Sequence, residues 1–346
     1  MGTLRITGII ELDQFWPKSS SDADTTKMKL IVGDNSFEYR EDGDTVFKKT
    51  LVFKNAVSKG QGTRPVINTS VRTGEKSITV RLQGVDAPEL HYQAAALKKD
   101  PAITAAQRKE YNDLNRKEKR QHFAESATVA LMKHLKKFSK NGAVPVWFQS
   151  KVDKPFEVVD TYGRFVGEIM IGEDHNLNIW LLENGWCMPT FYTSMKKEEI
   201  ETFLAAWKKG KTKKGRTSKS LIKDMNKFDW EMLYRLPGTV SDFKIGDDKG
   251  KTIMPKIFRR QVAWQTCKKA KVIAASTSFT SFLKKKPDQL VLLNDFLQNG
   301  LTASRVFAIH HFINADGKLT KNPEDIILQE KAATMVDENN KKIETW

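Results

Sequence analysis

The chain has 346 residues, 39% of them hydrophobic and 29% charged, enough to bury a substantial core and to build two domains. Lysine plus arginine exceed aspartate plus glutamate by 58 to 42, a net charge of +16 that favours a polyanionic partner, nucleic acid first among them. Only two cysteines, Cys187 and Cys267, are present and no Cys-x-x-Cys pair, which excludes a disulfide framework and a cysteine-built zinc site, so metal ligands are sought among oxygen donors.

The opening residues, MGTLRITGIIELDQFWP, lack the basic and continuous apolar stretches of a signal peptide. No run reaches transmembrane length. The expectation is a cytoplasmic protein with no membrane partner.

In chain order, alternation of apolar and polar residues predicts strands over 4–10 and 27–32, joined by a Pro/Ser/Asp-rich connection, then over 45–54 and 76–84, with a Gly-rich insertion near 59–64. Residues 93–120 read as a basic insertion of loop and helix. A helix follows over about 121–138, with Phe123, Ala127, Leu131, Leu135 and Phe138 on one stripe. Strands are expected at 143–149 and 164–171, then a short helix over 178–183 ended by Gly185. Cys187 reads as a small core residue. Ser194 is a good N-cap for a further helix carrying Ile200, Phe203, Leu204 and Trp207. The basic run KKGKTKKGRTSK at 208–219 reads as a linker, so a first domain is expected over 1–225. A mostly helical accessory region over 226–330 and a polar, frayed tail over 331–346 complete the expected organisation.

The segment Val80–Glu89 carries the chemistry. Ile78, Val80 and Leu82 alternate with Thr79, Arg81 and Gln83, so Arg81 leaves the face opposite the apolar set. Pro88 stops the strand ladder and stiffens the turn that aims Asp86 and Glu89. An arginine suits bidentate phosphate binding, and carboxylates suit a hard cation or proton abstraction. A phosphodiester-cleaving site is implied.

Three motifs in this order, an Asp-x-Asp-Thr turn, Val80–Glu89, and Asp160-Thr161-Tyr162-Gly163-Arg164, resemble the staphylococcal nuclease (thermonuclease) family. The resemblance covers roughly residues 1–215. It implies an α+β fold with an OB-like five-stranded barrel and packed helices, and calcium-dependent hydrolysis of DNA and RNA. It further implies Arg81 and Arg164 as phosphate-binding arginines, Glu89 as general base, and Asp86 with the carbonyl of residue 87 as calcium ligands.

The upstream ligand is ambiguous, because Asp22-Ala23-Asp24-Thr25 and Asp42-Gly43-Asp44-Thr45 both match the first motif. Strand candidates on either side of the first copy favour Asp24, while the glycine in the second copy favours Asp44. Ala87 and Thr161 depart from the family's usual threonine and lysine, and insertions over 33–75 and 91–120 separate the motifs. Tyr162, Phe191 and Tyr192 are candidates to stack on a base. The basic runs at 208–219 and Lys284–Lys286 are candidates for phosphate contact. A catalytically silent OB-type nucleic-acid-binding module is the alternative, and an inhibitor or regulatory partner is conceivable for a cytoplasmic nuclease.

Overall fold

The structure is a computed structural model, and it describes residues 2–31, 37–41, 46–47, 52–240, 242–330 and 333–346. Five strands close a barrel: β1 (Gly2–Glu11), β2 (Thr25–Leu30), β3 (Lys76–Leu82), β4 (Ala143–Val152) and β5 (Phe165–Ile171). Around the barrel β1 pairs with β2, β2 with β3, β3 with β5, β5 with β4, and β4 returns to β1. All pairings are antiparallel except β3–β5. Closure removes the open edges that a five-stranded sheet would otherwise expose.

The two-residue period explains the interior. Leu4, Ile6 and Ile10 of β1, Met28 of β2, Ile78, Val80 and Leu82 of β3, Phe148 of β4 and Phe165 and Ile169 of β5 are all buried in one cluster. Each such side chain contributes about 1.5–3 kcal/mol by leaving water. Gly8 lies inside β1 because a Cβ there would collide with the Lys29 carbonyl and the Met28 side chain.

Three of four helices pack on the barrel, and the first in the chain packs instead on the C-terminal region. The four are α1 (Ala105–Asn115), α2 (Ala124–Lys136), α3 (Leu177–Glu183) and α4 (Lys197–Gly210). Asn176 caps α3 by accepting from the amides of Asn178 and Ile179. Asn178 itself is fully buried: its Nδ2 donates to the carbonyls of Gln83 and Gly167, and its Oδ1 accepts from the Ile169 amide. One side chain thus ties α3 to β5 and to the turn that follows β3.

Several expectations need correction. Of the strand expected over 45–54, Val46–Phe47 is extended and 52–55 turns. The Gly-rich insertion near 59–64 is a hairpin of Val57–Gly60 and Gly62–Pro65. Phe37–Glu41 forms a further strand on β1, with Tyr39 opposite Leu4. Helix α4 begins at Lys197, with Lys196 in the cap position, and the Ser194 hydroxyl instead donates to Glu330. The basic run at 208–219 is tied at both ends and is not a free linker: α4 continues to Gly210, whose carbonyl accepts from the Ser218 hydroxyl at 2.8 Å, while residues 211–215 between them are exposed.

Residues beyond 225 are helical in part. Helix α5 (Pro255–Lys269) is followed by helices Phe279–Lys284 and Leu293–Ala303, and by strands Gln289–Leu292, Val306–Ala308 and Ile326–Leu328. Ile326–Leu328 pairs in parallel with Phe191–Tyr192. Strand Thr334–Val336 pairs with Val57–Gly60, and Trp346 stacks on Tyr39 with ring centres 4.0 Å apart. Leu293, Ile327 and Met335 share the barrel's buried cluster, so apolar packing runs without a break from barrel to C-terminal residues.

Replacing Asn178 by alanine strands a buried amide and frees two carbonyls from their donor. It is expected to lower stability by about 2–3 kcal/mol in urea denaturation.

Candidate active site

The site forms where strand register brings three chain segments to one end of the barrel. Thr25 lies opposite Arg81 in the β2–β3 pair, and Phe165 lies beside Val80 in the β3–β5 pair. Asp24, Arg81 and Arg164 are therefore neighbours, although 140 positions separate the first from the last. The Leu82 amide donates to the Asp24 carbonyl at 2.8 Å, which sets the backbone spacing.

The turn after β3 aims the next carboxylate. Gly84 adopts φ +75°, and a Cβ there would strike the Phe203 ring at 2.8 Å, so glycine is required twice over. Val85–Asp86 then pairs with Met188–Pro189. This fixes the buried Asp86 beside Arg81.

Arg81 bridges Asp24 and Asp86. It pairs with the Asp24 carboxylate, and its Nη2 meets Asp86 Oδ1 at 2.5 Å. The second Asp24 oxygen accepts from the Ala87 amide at 2.6 Å, and the Thr25 hydroxyl donates to the first at 3.1 Å. Burial alone would raise the Asp24 pKa, but Arg81, the Ala87 amide and the charge of Arg164 outweigh it and hold the carboxyl below its usual range. Burial also works against the Arg81 charge, and the two aspartates overcome it and lift that pKa well above its ordinary value. Asp22 takes the opposite course: burial and the neighbouring Asp24 push its carboxyl well up, while its Oδ1 accepts from the Thr25 amide.

Arg164 is set by its own turn. Asp160 Oδ1 accepts from the amides of Tyr162 and Arg164, and its Oδ2 accepts from Arg164 Nε at 2.8 Å. Gly163 at φ +81° allows the tight turn. Arg164 Nη1 donates to the Thr25 hydroxyl at 3.2 Å, which links it to Asp24. Tyr162 is 44% exposed, with the Arg164 guanidinium 5.1 Å from its ring centre.

Glu89 lies in the loop after Pro88, and Gln121 grips its backbone from both sides. The Glu89 amide donates to Gln121 Oε1, and the Gln121 amide donates to the Glu89 carbonyl. Burial, reinforced by the charges of Asp86 and Asp24, pushes the Glu89 carboxyl up to about 7 against the opposing pull of Arg259 and Arg81. Arg259 Nη1 donates to Glu89 Oε1 at 2.6 Å.

The other expected residues divide. Phe191 is 0% exposed inside the barrel cluster and cannot offer a ring face to a base. The period-two pattern of Phe191–Tyr192 sends one ring inward, and only Tyr192 remains partly accessible. Tyr192 lies within electrostatic reach of Asp86 and Arg81, and burial raises its hydroxyl pKa. Asp44 lies outside the described residues. Among the described residues, Asp24 meets Arg81 and, through it, Asp86.

Sequence reading did not find Arg259 or the Gln121 clamp. Arg259 stands in Ile257-Phe258-Arg259-Arg260 of an amphipathic helix, a pattern that any solvated basic helix shares. Only its contact with Glu89 distinguishes it.

Among the described residues, no group of three or more His, Cys, Asp or Glu side chains is arranged to hold a metal ion. The donor chemistry nevertheless fits a hard cation. Asp24 and Asp86 are buried carboxylates meeting at one guanidinium, and calcium takes its remaining ligands from carbonyls and water. Among the described residues no helix is long and apolar enough to cross a membrane.

Residues 79–216 match the family model described as staphylococcal nuclease homologue. No curated relative matches the chain. The matched stretch contains Arg81, Asp86, Glu89 and Arg164, whereas Asp24 and Arg259 lie on either side of it. A domain of this kind acts on or binds nucleic acid.

Replacing Arg81 by alanine leaves two buried carboxylates without their counter-charge. A loss of about 3–5 kcal/mol is expected in urea denaturation at neutral pH.

Proposed function

For a chain with a staphylococcal nuclease homologue domain, we propose that the site hydrolyses phosphodiester bonds of DNA and RNA, with little sequence specificity and with calcium (Ca2+). The observation that carries this reading is the unbroken set of contacts Arg164–Thr25–Asp24–Arg81–Asp86, with the general-base candidate Glu89 beside it.

The roles follow from charge. A phosphodiester under attack gathers negative charge on its non-bridging oxygens, and Arg81 and Arg164 supply forked donors for them. Glu89 takes the proton of the attacking water, and a pKa of about 7 makes it a better acceptor than an ordinary carboxylate while leaving it largely ionised above neutrality. Asp24 and Asp86 would hold calcium. When bound, calcium draws charge from the phosphate as a Lewis acid. Tyr162, and the accessible part of Tyr192, offer surfaces on which a base stacks without regard to sequence. The excess of basic residues favours capture of either polymer.

A binding module has no use for a buried carboxylate of raised pKa beside two arginines, and this favours cleavage over the silent alternative. The test is incubation of the purified chain with single- and double-stranded DNA and RNA, in calcium or in chelator. Cleavage in calcium is expected, falling by about 100-fold or more in Glu89→Gln and in Arg164→Ala. Binding without cleavage by the unaltered chain would instead establish the silent module.

The pH dependence has a definite sign. Below about 7 the Glu89 carboxyl holds its proton and cannot accept another. The kcat/KM is therefore expected to fall about tenfold per pH unit on the acid side and to level off above neutrality, as measured in a pH series at constant ionic strength.

A further inference from the structure

We infer that Arg259, from the C-terminal part of the chain, is a positioning residue of the active site that holds one oxygen of Glu89 and leaves the other to act on water. The inference rests on the nuclease reading above.

The geometry is asymmetric in a useful way. Glu89 Oε1 accepts from Arg259 Nη1 at 2.6 Å, while among the described residues Oε2 takes no hydrogen bond. A carboxylate held at one oxygen has its rotation fixed, and its second oxygen keeps the lone pairs a proton acceptor needs. Arginine suits this task because it stays charged and cannot take the proton itself. The ion pair is mostly shielded, with side-chain exposures of 33% for Arg259 and 15% for Glu89, so it is not a solvent-screened surface pair.

The helix that presents Arg259 is anchored independently. Ile257, Phe258 and Val262 bury one face of α5 in the C-terminal core. Arg260, the next residue, makes a two-pronged pair with Asp288 at 2.7 and 2.8 Å. A second link reaches the same loop: Gln121, which clamps the Glu89 backbone, donates from Nε2 to the Thr252 hydroxyl and the Ile253 carbonyl, just before α5. Residues 252–259 thus hold the Glu89 side chain directly, through Arg259, and its backbone indirectly, through Gln121. Arg259 also lies within electrostatic reach of Asp86, Arg81 and Tyr192.

The experiment compares Arg259→Ala, Arg259→Lys and Arg260→Ala in the full chain, with kcat and KM measured on one DNA substrate in calcium. Arg259→Ala is expected to lose about 10- to 100-fold in kcat with KM changed by less than about threefold. Arg259→Lys should recover part of the loss, since it keeps the charge without the fork. Arg260→Ala should lower the melting temperature yet keep kcat. Unchanged kcat in Arg259→Ala, or a loss confined to KM, overturns the inference while the nuclease reading stands. A loss of the same size in Arg260→Ala overturns it too, because the effect would then come from the helix as a whole. An inactive unaltered chain overturns the nuclease reading and this inference together.

Discussion

A buried arginine held between two buried aspartates is the constraint around which this end of the molecule is arranged. Taking three charges out of water is expensive, and the Arg81–Asp24–Asp86 group persists only because each charge is answered at close range. The surrounding backbone is recruited to that end. The Ala87 amide and the Thr25 hydroxyl take up Asp24, and a glycine at positive φ turns the chain sharply enough to bring Asp86 back to the strand that carries Arg81. The paired carboxylates are where a calcium ion would sit under the proposed function, and the same pairing governs the stability of the barrel mouth.

Glu89 shows how the C-terminal residues enter the site. A carboxyl in this position would be free to swing on a short loop, yet Gln121 fixes its backbone and Arg259 its side chain. Arg259 belongs to the segment that begins near residue 252, and the Gln121 side chain donates to Thr252 and Ile253 of the same segment. The insertion over 91–120 lies between barrel and C-terminal region: Tyr92 and Lys119 exchange backbone hydrogen bonds, and Tyr111 of α1 clusters with Cys267 of α5 and with Ala270 at its end. The loop that carries Glu89 is therefore buttressed by residues far along the chain.

Much of the barrel was legible because its strands obey a local rule. The alternation at 4–10 and 76–84 selects the inward face without reference to any partner, and Ile78, Val80 and Leu82 are buried as that rule requires. The motif residues Arg81, Asp86, Glu89 and Arg164 were legible for a similar reason, since turn residues such as Gly84, Pro88 and Gly163 mark where the chain must bend. Less was legible where packing decides. Phe191 and Tyr192 are adjacent aromatics that look alike in sequence, and only burial separates a core ring from an accessible one. The basic run at 208–219 has the composition of a linker, but Gly210 and Ser218 seat it against Gly185 and the end of α3.

The sequence by itself determined the five barrel strands, the turns that carry the motifs and the kinds of chemistry available, because these follow from side-chain alternation, backbone freedom and charge over a few residues. Only the tertiary structure decided which of those charges meet. Asp24 joins Arg81 through the register of β2 on β3, and Arg164 joins them through the parallel register of β5. Arg259 reaches Glu89 across 170 positions. Such meetings depend on closure of the barrel and on the packing of the C-terminal region, and no local pattern of residues encodes a distance in space.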